Sequence, residues 1–178
     1  MITFELENNL CLKPMQEVNV EDLFSFIDLN RKHLRKFLSW VDSIKSVDDE
    51  QCFIDSLKAD DSSLAFVILY KRNIIGSVGF ICIDKLNRNA QVGYCIGEKF
   101  QGKGIVTKAC KHIIKHGFDY LNLERIEFRI AKHNLKSKAI MHRISACFEG
   151  TLRKALFLDN NYIDCEIYSL LKGELRGY

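Results

Sequence analysis

Apolar and polar positions alternate with two different periods along the chain, and the switches between them mark its elements. In LAFVILY (Leu64 to Tyr70) and IIGSVGFICI (Ile74 to Ile83), β-branched and aromatic residues crowd on either side of the polar turn Lys71-Arg72-Asn73, which predicts a hairpin. AQVGYCIG, Ala90 to Gly97, predicts a further strand that ends in glycine. The period then changes. Val106, Cys110, Ile113, Gly117 and Leu121 recur every three or four residues, predicting a helix of about four turns. RIEFRI (Arg125 to Ile130) predicts a short strand, HNLKSKAIMHRISA a second helix, and Phe148 to Phe157 with Tyr162 to Leu171 a closing hairpin around Asp159, Asn160 and Asn161. Upstream, LCLKPM (Leu10 to Met15) alternates like a strand and VEDLFSFIDLN repeats like a helix. Beyond RKHLRKFLSWVDSIK, a second helix with Ser46 or Asp48 as its cap carries Cys52, Phe53, Ile54 and Leu57 and ends near Asp60 and Asp61. The order is strand, two helices, three antiparallel-looking strands, helix, strand, helix, hairpin, an α/β chain without a regular βαβ rhythm.

A length of 178 residues predicts one domain spanning 1–178. The net charge of +3 is spread along the chain, which argues against nucleic acid or a membrane surface as partner. The start MITFELENNL has no leader pattern and no apolar run is long enough for a membrane helix, so a cytoplasmic location is expected. Seven cysteines, odd in number and without a CxxC pair, stand mostly among apolar neighbours, and neither disulfides nor zinc are expected. His112 and His116 have the i, i+4 spacing of two ligands but no third partner, which predicts a solvated helix face and no metal.

Gly102 and Gly104 stand between the strand and the helix. The first turn of a helix has N–H groups without intrahelical acceptors and a partial positive charge, so glycines there, with Lys103 between them and Lys108 one turn on, can cradle a pyrophosphate. A P-loop needs four residues between Gly and Gly-Lys-Ser/Thr, and a dinucleotide fingerprint needs a third glycine; neither is present. Taken alone, the two glycines support only a strand-to-helix turn.

Gln101-Gly102-Lys103-Gly104-Ile105-Val106 resembles the Q/R-x-x-G-x-G/A motif of the Gcn5-related N-acetyltransferases (GNAT). The chain further resembles their RimJ/RimL-like branch, which acetylates ribosomal-protein N-termini, in HLRKFLSWVD (His33 to Asp42), VGYCIGEKFQGKGI, NLKSKAIMHRI (Asn134 to Ile144) and an EG before the last hairpin. That resemblance implies a mostly antiparallel, twisted central sheet of about seven strands, splayed in the middle and flanked by about four helices. It implies acetyl-CoA as co-substrate, with backbone groups of Tyr94, Cys95 and Ile96 along the pantetheine arm. The amides of Gln101, Gly102, Lys103, Gly104, Ile105 and Val106 would then hold the pyrophosphate, Asn134 would touch the cofactor and Ser137 would donate to the departing thiolate. Read without the resemblance, Asn134 is a helix cap and Ser137 a first-turn polar residue. Three positions depart from the pattern: Val106 where the motif ends in Gly or Ala, Ser145-Ala146 where Gly-Phe is usual, and Leu156 where some members carry an acidic base.

Transfer from a thioester to an amine needs the neutral amine and donors for an oxyanion, which backbone N–H groups of the central strand can supply. Cys95 has no histidine partner in view and reads as a packed small residue rather than a nucleophile. Trp40, the Tyr94 ring and the loop Asp159 to Asn161 are the candidates for acceptor recognition. Asp48, Asp49 and Glu50 either attract a basic substrate or serve the helix N-terminus. The expected partner is an amine acceptor such as a ribosomal-protein N-terminus. A small-molecule amine (polyamine, amino acid, aminoglycoside), a non-catalytic CoA-binding module and a homodimer stay open.

Overall fold

The computed structural model describes residues 3–7 and 9–176. Eight strands form one sheet: β1 (Phe4–Glu7), β2 (Leu10–Pro14), β3 (Leu64–Tyr70), β4 (Asn73–Asp84), β5 (Asn89–Ile96), β6 (Arg125–Ala131), β7 (Cys147–Leu158) and β8 (Asn161–Leu171). Their spatial order is β1-β2-β3-β4-β5-β6-β8-β7, and every neighbouring pair is antiparallel except β5 with β6. The four helices are α1 (Val20–Leu34), α2 (Val47–Ala59), α3 (Ile105–Asp119) and α4 (Leu135–Arg143). The mostly antiparallel sheet and four helices agree with the expected fold; the strand count is eight rather than about seven because Phe4–Glu7 adds an edge strand.

The sheet separates two apolar layers. Val106, Cys110, Ile113 and Ile114 of α3 and Met141 of α4 are buried with Val78, Phe80, Val92, Phe128 and Tyr168 on one side. Phe26, Ile27 and Leu34 of α1 pack with Val41, Ile44 and Cys95, while Ile54 and Leu57 of α2 pack with Met15, Leu23 and Val67. Alternation along β5 therefore decides which layer each side chain meets: Tyr94 joins the α3/α4 layer and Cys95 the α1 layer.

Local chemistry fixes the helix starts. Asn19 accepts from the N–H groups of Glu21 and Asp22. Of the two candidate caps for α2, Ser46 takes the role: its hydroxyl accepts from Asp49 N–H, and the Asp49 carboxylate accepts from Ser46 N–H at 2.9 Å, a capping box. At the end of α4, Ser145 is left-handed (φ 61°), its N–H bonds the His142 carbonyl, and Ala146 N–H closes back on the Met141 carbonyl at 2.9 Å. These are the two bonds of a Schellman turn, whose left-handed residue is usually glycine. Ser145→Gly should therefore raise the unfolding free energy by about 0.5–1 kcal/mol. A higher Tm checks this; a lower one would mean that the serine side chain itself holds the helix end.

Two expectations need correction. Only Cys95, Cys110 and Cys165 are buried, whereas Cys52, Cys82 and Cys147 are exposed and Cys11 is half-buried. His116 is not on a solvated face: it is buried, stacked on Tyr120 at 5.2 Å and edge-on to Phe4 at 5.2 Å, because β1 covers that side of α3.

Candidate active site

The parallel pairing of β5 with β6 is short. Asn89, Ala90 and Gln91 face Arg125, Ile126 and Glu127, and beyond Gln91 the two strands separate. Gly97 N–H bonds the Ile75 carbonyl at 2.8 Å, and Ser77 lies opposite Cys95. In an antiparallel ladder the bonded residues alternate, so Cys95 and Gly97 turn their backbone groups to β4. Tyr94 and Ile96 turn theirs to the opening. Two of the three residues named for the pantetheine arm thus present backbone donors and acceptors to the gap, and Cys95 does not.

At the end of β5 the chain makes a 3-10 turn, Glu98–Phe100, and enters the glycine loop. Gly102 and Gly104 are both left-handed (φ 72° and 74°), and a Cβ built on either meets nothing within 4 Å. Gly104 is the N-cap of α3 and offers no side chain to it. The first helical bond runs from Lys108 N–H to the Gly104 carbonyl, which leaves the amides of Ile105, Val106 and Thr107 without intrahelical acceptors at the positive end of a 15-residue helix. Val106 is buried in the core, so its bulk at the motif's last position does not enter the loop's concave side. The Lys103 ammonium lies over the Phe100 ring at 5.3 Å. Lys108 pairs instead with Glu7 of β1.

The Gln101 side chain is held from both sides. Its oxygen accepts from Lys136 Nζ at 2.5 Å, and its nitrogen meets His33 Nε2 at 2.8 Å. Lys136 fixes the amide's orientation, so the His33 nitrogen must accept and the ring must be neutral there. Burial lowers the His33 pKa, which favours that form. The clasp ties the end of α1 to the loop and to the first turn of α4.

Below it, two hydroxyls converge. The Asn134 side chain caps α4 by accepting from Ser137 N–H at 3.1 Å, which places Ser137, nearly buried, on the inner face. Its hydroxyl faces that of Tyr94 without reaching hydrogen-bond geometry, and the Tyr94 oxygen is buried with no partner. Burial, with a smaller effect of Cys110, pushes the Tyr94 pKa up. The Tyr94 hydroxyl therefore keeps its proton at neutral pH.

On the other face of β5, the Cys95 sulfur lies 3.2 Å from the Ser77 hydroxyl, and burial raises its pKa. A buried, protonated thiol without an imidazole is a poor nucleophile. The segment between α1 and α2 lies over this face: Val41 enters the core with Cys95, the Phe37 ring packs on His133 at 5.3 Å, and Trp40 stays 42% exposed. Asp159 and Asn160, both left-handed, form the far hairpin tip. Leu156 lies on β7 as a half-buried apolar residue.

Of the three acids at the start of α2, one is buried in the fold. Glu50 of α2 is 2% exposed, its Oε2 has no hydrogen-bond partner, and burial raises its pKa from 4.5 to about 7. Such a carboxyl destabilises the fold once ionised. The unfolded chain releases this proton near pH 4.5 and the fold near 7, so stability falls as pH rises through that window, by a few kcal/mol in all. Glu50→Gln should match wild type at pH 4.5 and become the more stable protein by about 2–3 kcal/mol at pH 8. Chemical denaturation at the two pH values checks it; a constant difference would mean that the carboxyl does not titrate in this range.

The description "Acetyltransferase (GNAT) domain" matches residues 9–146. The chain belongs to the GNAT acetyltransferase family. It is 31% identical, over an alignment of 181 positions that covers 99% of each chain, to the putative ribosomal N-acetyltransferase YdaF of Bacillus subtilis, and 28% identical, over 94% of this chain and 95% of the other, to the ribosomal-protein-serine acetyltransferase of Escherichia coli. A shorter likeness, 30% over 58% of this chain and 55% of the other, links it to the spermidine N(1)-acetyltransferase of Escherichia coli. Among solved structures, the self-immunity acetyltransferase MccE in complex with acetyl-CoA and AMP superposes with a TM-score of 0.86 at 32% identity, covering 93% of this chain and 94% of that one. The L7/L12 acetyltransferase RimL with coenzyme A shares the fold at a TM-score of 0.91 and 22% identity, covering 96% and 98%. The GNAT protein described here is an acetyl-CoA-dependent acyltransferase. Its residues fit that co-substrate: open space above two left-handed glycines, uncapped amides at α3, and a buried hydroxyl at Tyr94 that lacks a partner. Among the described residues no group of His, Cys, Asp and Glu is arranged to hold a metal, and no helix is long and apolar enough to cross a membrane.

Proposed function

We propose that this enzyme acetylates the N-terminal amine of a ribosomal protein, by direct attack within a ternary complex, in the cytoplasm. Acetyl-CoA supplies the acetyl group. The amides of Gly102 to Thr107 bind the pyrophosphate, with Gln101 held in place by His33 and Lys136. Backbone groups of Tyr94 and Ile96 orient the pantetheine arm along the opening, and an N–H there is placed to receive charge developing on the carbonyl oxygen. Ser137, with Tyr94 behind it, delivers a proton to the departing sulfur. Trp40 and the segment around it line the way in for the acceptor, with Asn134 holding the first turn of α4 in register.

The observation that carries the reading is the neighbouring hydroxyls of Tyr94 and Ser137 beside a strand whose backbone is open to the gap. Direct transfer is further supported by the inert state of Cys95, the one cysteine on that strand. A protein acceptor is favoured because the likeness to the ribosomal acetyltransferases runs through the whole chain, whereas that to spermidine acetyltransferase covers just over half. Thiol release from acetyl-CoA, measured with peptides bearing N-terminal serine or alanine and with spermidine, tests it. Turnover is expected with a peptide and not with spermidine. Transfer to spermidine alone would make the acceptor a polyamine, and release with no amine at all would contradict the proposal.

A further inference from the structure

Gln101 stands immediately before the glycine loop, at the place where α1 and α4 both reach it. The loop itself has little else to fix its shape. Gly102 and Gly104 are left-handed, and a Cβ on either meets nothing within 4 Å, so nothing packs against them on that side. Glycines lose the most freedom on ordering, and an unrestrained pair would have to be ordered by the ligand itself. Upstream, the chain is tied down. Asn30 Oδ1 accepts from Glu98 N–H at 3.3 Å, and one turn further along α1 the His33 Nε2 meets the Gln101 amide nitrogen at 2.8 Å. From the first turn of α4, Lys136 Nζ donates to the Gln101 oxygen at 2.5 Å.

These bonds leave no place for a proton on Nε2. The Lys136 ammonium has only donors, so it takes the amide oxygen and turns the amide N–H groups to His33, whose Nε2 must accept. A ring protonated there would set N–H against N–H. Turning the amide over would give the ring an oxygen but set the NH2 group against the Lys136 ammonium, so neither orientation suits the charged ring. We propose that His33 and Lys136 are positioning residues for the coenzyme: they lock Gln101, and with it the glycine loop, in the form that receives the pyrophosphate, and uptake of a proton by His33 opens the lock. This rests on the placement of the pyrophosphate at that loop, proposed above.

The groups around the ring set the direction of the effect. Glu98 of the 3-10 turn has its Oε1 3.9 Å from His33 Nδ1 and favours the charged ring, but its side chain is 69% exposed, so solvent weakens the attraction. Burial of the ring opposes charge most, and Lys36, just beyond α1, and Lys136 of α4 oppose it further. On α1 itself, the Arg31 guanidinium is committed to Asp28 and to the Val41 carbonyl at 2.6 Å. The neutral, locked form therefore prevails at pH 7, and the lock opens on the acid side of the ordinary imidazole value of 6.5. Coenzyme affinity should fall there, because an opened loop must be ordered again on binding.

The test is the pH profile of the coenzyme A dissociation constant, by calorimetric titration from about pH 8 down to about pH 5, in wild type, His33→Gln, Lys136→Met and Gln101→Ala. His33→Gln puts a neutral acceptor near the position of Nε2. The phosphates of the ligand titrate alike in every variant, so each profile is read against that of His33→Gln. Wild type should lose about 3–10-fold more affinity across this range, the worth of one net hydrogen bond. Lys136→Met frees the amide to turn over and accept from the charged ring, and Gln101→Ala removes the lock altogether, so both should run parallel to His33→Gln. Melting curves at both ends of the range show that each protein is folded. Wild type parallel to His33→Gln overturns the proposal, and so does an excess acid loss that persists in Gln101→Ala, since His33 would then not act through Gln101. Either result leaves the cradle in place if Gly104→Glu abolishes binding; unchanged binding by Gly104→Glu overturns both.

Discussion

Gly104→Glu is expected to abolish coenzyme A binding while leaving the protein folded. Gly104 is left-handed, so any side chain there adds about 1–2 kcal/mol of strain, which lowers stability without unfolding a domain of this size. The glutamate adds a negative charge at the helix end that would receive the pyrophosphate, and its methylenes fill the space that is open above the glycine. Together these should weaken CoA by more than about 100-fold, or roughly 3 kcal/mol. Calorimetric titration measures it. Gly104→Ala separates the causes, because its Cβ brings the same strain and no charge: it should lose stability like the glutamate variant but bind CoA far better. Equal affinity for all three proteins would place the nucleotide elsewhere.

Ser137→Ala is expected to lower kcat by about 10–100-fold, the lower range for a single proton-transfer group with a neighbour able to substitute for it. The CoA dissociation constant should change by less than about twofold, since the hydroxyl acts late, on the sulfur. Alanine keeps the backbone N–H that Asn134 caps, so α4 should stay intact. The Tyr94 hydroxyl faces Ser137, and Tyr94→Phe in the Ser137→Ala background should cost more than in wild type. That coupling is the distinguishing result. Single and double variants with unchanged kcat would reduce Ser137 to a helix-start residue.

Much of the fold could be read from period and punctuation. Leu64–Tyr70 has the bounds that its β-branched run predicts, and α3 begins where Gly104 ends the loop. What escaped depends on contacts across the chain. Phe4–Glu7 offers only two apolar positions, too few to show alternation, and forms a strand because β2 provides an edge. His116 has the spacing of an exposed helical residue, yet Phe4 and Tyr120 enclose it. The helix of Val20–Leu34 runs one turn past Asn30 through a charged stretch, where Arg31 and Lys32 favour its negative end.

The candidate site divides in the same way. The glycine loop and Asn134-x-x-Ser137 are contiguous patterns, visible in order. Which of Tyr94, Cys95 and Ile96 turns its backbone to the gap is a matter of ladder register, set by β4. Asp48, Asp49 and Glu50 look alike as three acids opening a helix. Folding makes Asp49 a cap and buries Glu50 without a partner, while Asp48 stays at the surface. No one-dimensional pattern separates them, because the difference lies in what the helix packs against.

The placement of coenzyme A at the splayed strands is the claim on which every other assignment depends. Titrating isotope-labelled protein with CoA and following backbone amide resonances tests it directly. Shifts should concentrate at Gly102 to Thr107, at Tyr94 and Ile96, and at Asn134 and Ser137. Another depression, of about 470 Å³, lies between β2, β3 and the start of α1 and is lined by Glu5, Lys13, Glu17, Asp22, Lys71 and Arg72. Shifts confined to that region, with the glycine loop unmoved at saturation, would contradict the account.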